Sequence, residues 1–175
     1  MRAHLQETIG KARQAQAETL EVYVARAAGL EGAAVRPTVD RVMAIVEGIP
    51  GLLESVSEAA MTRGIGLMVQ PLLDHAADYF RDPTDHAPEA AYGMAGLLDD
   101  AYLAISLVNL VHENFEPLVE TDVAGQLSVL RGLLEPELLA KLDAEVGRAV
   151  LKLARSVTGL RERSRLDVEM FIQRR

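Results

Sequence analysis

Apolar residues recur along this chain at intervals of three and four, and no run alternates in twos between tight turns, so the pattern predicts an all-α protein. Leu5, Ile9, Ala12, Leu20, Tyr23 and Ala27 form the stripe of a long first helix that Gly29 and Gly32 terminate. Pro37 marks the start of a second, which carries Val39, Val42, Met43 and Val46 as far as Gly48. Ile49-Pro50-Gly51 reads as a turn, and a third helix with Leu52, Leu53, Val56, Ala59 and Ala60 closes at Gly64. A fourth covers Leu67 to Phe80, its regular part beginning at or just before Pro71.

Gly96 then opens an apolar helix running to Phe115, in which Leu97, Leu98, Ala101, Ile105, Val108 and Val111 are available for burial on most sides. Pro117 breaks it, Thr121 is the expected N-cap of a sixth helix with Val123, Leu127, Leu130 and Leu134, and Pro136 begins a seventh. That last helix has the clearest stripe: Leu138, Leu142, Val146, Val150, Leu153 and Val157. The expectation is a single bundle of about six to eight helices around a central apolar helix near residues 96–115. Residues 1–159 form the bundle, and residues 160–175 form a basic amphipathic arm with Leu160, Val168, Phe171 and Ile172 among five arginines.

Composition fits close helix packing. Apolar residues make up 49% and aromatics 4% of the 175 residues, so the core is filled by aliphatic side chains and alanine. There is no cysteine, which excludes disulfides, thiolate metal sites and a Cys nucleophile together. The N-terminus lacks the apolar core of a secretory signal, and the uncharged run from Ala101 to Val111 is too short to span a bilayer, which places the protein in the cytoplasm with no transmembrane segment. Net charge is −8, but residues 141–175 hold nine cations and five acids (+4), leaving −12 on residues 1–140. A body this acidic argues against nucleic-acid binding by the main domain.

The densest chemistry lies between Asp74 and Asp100, where Asp74, Asp78, Asp82, Asp85, Glu89, Asp99 and Asp100 face one cation, Arg81. Asp74, Asp78 and Asp82 stack at successive i, i+4 positions, with like-charge repulsion of a few tenths of a kcal/mol per pair. Asp78 and Asp82 also meet the unfavourable end of the helix dipole. One reading is a divalent-metal site for Mg²⁺, Mn²⁺ or Ca²⁺, with His75, Asp78, Asp82, Asp85, His86, Asp99 and Asp100 as candidate ligands. The other is a solvated acidic face with capping, in which Asp99 and Asp100 occupy the first turn of a helix capped by Gly96.

His112 and Glu116 form an i, i+4 pair that reads as a second ligand pair or a helix-stabilising contact. Asn109 before His112 and Leu72 before His75 stand where a di-iron bundle needs Glu. The serines lack a glycine-rich elbow, and no P-loop or dinucleotide fingerprint is present.

The order Pro83-Thr84-Asp85-His86-Ala87-Pro88-Glu89, then Gly96-Leu97-Leu98-Asp99-Asp100, resembles the YkvA-like domain family, whose hallmark is Pro-x-Asp-x-x-Pro-Asp followed by Gly-x-x-Asp-Asp. The likeness spans residues 79–111, with Glu89 for the family's Asp, Ala91-Tyr92 in place of its second Ile-Pro and one extra residue between the halves. It implies a helix–loop–helix whose proline loop folds back on the Asp-Asp helix, with Pro83, Asp85, Pro88, Gly96, Asp99 and Asp100 as its marked positions. The family has no established activity and so implies no substrate.

Three functions follow as expectations. The first is a non-enzymatic interaction or assembly module without a cofactor, working through self-association or a protein partner, with Phe171 and Ile172 of the arm as apolar anchor. The second is a divalent-metal-dependent hydrolase built on the Asp cluster. The third is an apolar-ligand binder lined by Met43, Met61, Met68 and Met94. Arg161, Arg163 and Arg165 would also suit an anionic membrane surface, a case that Glu162, Asp167 and Glu169 weaken.

Overall fold

The threefold and fourfold spacing becomes seven helices in the computed structural model, which describes residues 2–15, 17–80, 93–151 and 154, and no strand occurs among them. In chain order they are α1 (Arg2–Ala15), α2 (Ala17–Ala28), α3 (Val35–Thr62), α4 (Gly66–Tyr79), α5 (Leu98–Asn114), α6 (Val123–Arg131) and α7 (residues 136–151). Short 3₁₀ turns at Gly32–Ala34 and Gly93–Leu97 lead into α3 and α5. Residues 160–175, the expected arm, lie outside the described residues.

α5 is the axis. Leu98, Ala101, Leu103, Ile105, Leu107, Val108 and Val111 are buried on all sides of it, and α3, α4 and α6 pack around it. α1 and α2 close the bundle over the 3₁₀ turn and α3. The stretch Gly93–Asn114 (22 residues) is long and apolar enough to cross a membrane, yet 83% of its apolar window is buried inside the bundle, as in a core helix.

The expected break at Pro50 does not occur: α3 runs unbroken through it. Its buried positions, Val39, Val42, Val46, Ile49, Leu53, Val56 and Ala60, keep one phase across the proline. A turn there would swing half of that stripe away from the core. Pro50 has no N–H for the Val46 carbonyl, a defect of about 3 kcal/mol, while each buried aliphatic side chain returns about 1.5–3 kcal/mol. α4 likewise begins at Gly66, well before Pro71.

Other boundaries follow local chemistry. Gly29 (φ 62°) and Gly64 (φ 72°) end α2 and α3 in the left-handed region that glycine tolerates. The cap of α6 is Asp122 and not Thr121, because the Asp122 Oδ1 accepts from the Gly125 N–H at 2.8 Å.

Candidate functional site

Asp74 and Asp78 lie on the exposed face of α4, and Asp74 accepts from Gln70 Nε2 at 2.8 Å. Gln70 in turn accepts from Ser57 Oγ at 2.7 Å, so Asp74 ends a polar chain linking α3 to α4. His75 turns the other way. Its Nε2 stands 3.2 Å from Glu145 Oε1 on α7, an ion-pair distance without the alignment of a hydrogen bond. Asp82, Asp85, His86 and Glu89, with Pro83 and Pro88, fall outside the described residues.

Asp99 and Asp100 do occupy the first turn of the central helix, but the cap position is Leu97 and both carboxylates are buried, each 1% exposed. The reading of these two as part of a solvated face is therefore corrected. The 3₁₀ turn carries Gly93 to Leu97 inward, so the helix starts inside the protein and its first acids start there too. Among the described residues, no three His, Asp or Glu side chains come together to hold a metal ion.

His112 and Glu116 do not form a helical pair. α5 ends at Asn114 and Phe115 is extended (φ −130°, ψ 150°), which removes the i, i+4 geometry. The His112 Nε2 is buried without a hydrogen-bond partner among the described residues, and burial holds the ring below its usual pKa.

Two features had no sequence motif to announce them. The first is a polar lock at the start of α5: the Tyr102 hydroxyl donates to Asp143 Oδ1 at 2.7 Å and accepts from Arg131 Nη2 at 2.6 Å. Arg131 and Asp143 also approach each other to 3.4 Å, joining α5, α6 and α7. Burial, and secondly donation to Asp143, raises the Tyr102 pKa. Tyr23 makes a similar reach, donating to the Leu133 carbonyl at 2.9 Å, and burial raises its pKa too. The only sequence signal was a tyrosine inside an uncharged apolar run, since a buried phenol needs a partner.

The second feature is an apolar groove of about 170 Å³ where the start of α4 meets the end of α5 and Val150 of α7, lined by Met68, Leu72, Leu110, Phe115 and Val150. Exposed apolar side chains adjoin it in the chain. Leu67 is 86% exposed, Leu151 follows Val150 at 60%, and Met61 (65%) lays its sulfur on Gly66.

Among the cavities lined by described residues, Met68 and the pair Met43 and Met94 fall in different ones. Met43 and Met94 line a different cleft, of about 420 Å³, between α1, α2 and α3, whose rim is closed by Arg13–Glu47, Arg36–Glu21 and Arg36–Asp40 ion pairs, each at 3.0 Å. The chain matches no protein-family model, no curated protein and no solved structure.

Proposed function

We propose that this chain is a non-enzymatic interaction module that assembles through the apolar end of its bundle. One observation carries the reading: of the five large apolar side chains exposed among the described residues, Met61, Leu67, Met68 and Leu151 gather at that end, and only Val22 lies on α2. Scattered exposed apolar residues need no explanation, whereas a patch of them around a groove marks a surface that another surface covers. The resemblance to YkvA-like domains, which rests within the described residues on Gly96, Asp99 and Asp100, is compatible with this reading and supplies no reaction.

Light scattering on the full chain tests it. The mass should rise above 19.0 kDa across protein concentrations that bracket micromolar affinity, about 1 to 100 μM. A constant 19.0 kDa across that range would remove self-assembly from the account. Metal-dependent hydrolysis would replace it if calorimetry gave saturable heat with Mg²⁺, Mn²⁺ or Ca²⁺ and a chelator lowered the melting temperature.

A further inference from the structure

The long helix α3 turns one face outward. Arg41, Ala44, Gly48, Ser55 and Glu58 are exposed on it and Gly51 is half-buried. These six stand 3, 4, 3, 4 and 3 residues apart, the heptad spacing of a seam along which one helix lies against another. A groove of about 460 Å³ follows the seam, walled on one side by Gly48, Gly51 and Ser55 and on the other by residues 119–121. Among the described residues nothing calls for glycine at its centre: a Cβ at either position meets no neighbouring atom within 4 Å, and glycine weakens a helix interior relative to alanine. Gly10 and Gly147 are open in the same way but stand singly.

The charges of α3 single out the same line. Arg36 pairs with Glu21 and Asp40, Glu47 with Arg13 and Glu54 with Arg2. Arg41 and Glu58, the two ends of the seam, have no ion pair among the described residues. We infer that α3 pairs antiparallel with α3 of a second copy, about a two-fold axis that passes between Gly48 and Gly51. The spacing reads the same from either end, so in this register Gly48 opposes Gly51, Ala44 opposes Ser55 and Arg41 opposes Glu58, each twice. The four small residues let the backbones approach, and an opposite-charge pair closes each end. A parallel pairing would instead set Arg41 against Arg41 and Glu58 against Glu58. Glu120, exposed on the far wall of the groove, lies off the seam. This contact goes beyond the assembly reading above: it uses none of the residues of the apolar end, and a two-fold contact closes at two chains.

The absence of native cysteine makes the register testable in the full-length protein. Ala44→Cys and Ser55→Cys are made in separate chains, mixed and mildly oxidised; both positions are exposed, and unchanged melting of each variant confirms the fold. A disulfide forms only where the two Cα atoms come within about 7 Å. The antiparallel register brings position 44 of one chain to position 55 of the other, and at about 1.5 Å per residue it holds the two copies of position 44 about 16 Å apart. The mixture should therefore give a product of twice 19.0 kDa at least about tenfold faster than either variant oxidised alone. No product, or equal rates in the mixture and the single variants, would overturn the register.

Charge exchange reads the same register without a cross-link. Arg41→Glu should raise the concentration of half-association, measured by light scattering, by about tenfold or more, and Arg41→Glu/Glu58→Arg should restore it. A double variant that associates no better than the single one overturns the Arg41–Glu58 pairing between chains. The two contacts fail separately: a mass that still rises in Arg41→Glu and is lowered by adding Leu67→Ser belongs to the apolar end, whereas the disulfide between positions 44 and 55 should form at the same rate with or without Leu67→Ser.

Discussion

The two ends of α5 invert the usual sorting of side chains. At its start, carboxylates and a phenol are inside: Asp99, Asp100 and Tyr102 are buried. At its end, Leu110 and Phe115 line an open groove beside the exposed Leu67 and Met68. The first end is compatible with physics because a helix N-terminus favours negative charge by about 0.3–1 kcal/mol, and because the Tyr102 hydroxyl finds partners on two other helices. The second end lacks such compensation within the described residues, and the proposed assembly is what would give its apolar surface a role.

The middle of α5 sets the scale. Leu103 is fully buried, and Leu103→Ala should destabilise the protein by about 2–5 kcal/mol in urea titration. That is a large part of the roughly 5–15 kcal/mol a domain of this kind possesses. A loss below about 1 kcal/mol would mean that α5 is not the packing axis.

Smaller losses probe the polar end. Tyr102→Phe removes a donor to Asp143 and an acceptor for Arg131, both of which are half exposed and keep each other and water. The expected cost is about 1 kcal/mol. Asp122→Ala, which uncaps α6, should cost about 1 kcal/mol as well, while Thr121→Ala should be near neutral. If the two threonine and aspartate variants melted in the reverse order, the cap would be Thr121 after all.

That cap shows how much of the fold is legible in the sequence. Either residue suits a helix start, and the one-position choice depends on which carboxylate or hydroxyl reaches Gly125, a matter of backbone angle. Helix existence was legible because burial stripes are local, as with Leu138, Leu142 and Val146 of α7. The run through Pro50 was not, since local chemistry there says break and only the shared core says continue. The acidic cluster was legible as composition and not as arrangement: sequence placed His75 beside Asp74 and Asp78, whereas the fold turns it to Glu145, seventy residues on. The groove had no signal at all, because Met68, Phe115 and Val150 meet only when three helices converge.

Acid sharpens the comparison from within the apolar end. Burial holds the folded His112 below the roughly 6.5 of an unfolded histidine, so between those two values the unfolded chain binds more protons. Stability from the neutral ring is therefore full above about pH 6.5 and is lost as pH falls through the folded value. Urea titrations of the wild type and His112→Gln, at about pH 7.5 and about pH 5, should give a smaller acid loss in the variant. Parallel losses would show that His112 titrates alike in the folded and unfolded chains.

The smallest effect on stability is expected at Leu67, and it decides what the apolar end is for. Leu67→Ser and Leu151→Ser remove exposed side chains with no core neighbour to strand, so each should change the unfolding free energy by no more than about 0.5 kcal/mol. A surface kept for packing within the chain would lose more. A surface kept for another molecule would instead lose association: the concentration at which the light-scattering mass rises above 19.0 kDa should shift upward about tenfold, which is 1.4 kcal/mol of binding. The pair of readings must separate, with melting unmoved and assembly weakened. Should both move together, Leu67 and Leu151 belong to the bundle's own cohesion and the two ends of α5 differ only in polarity.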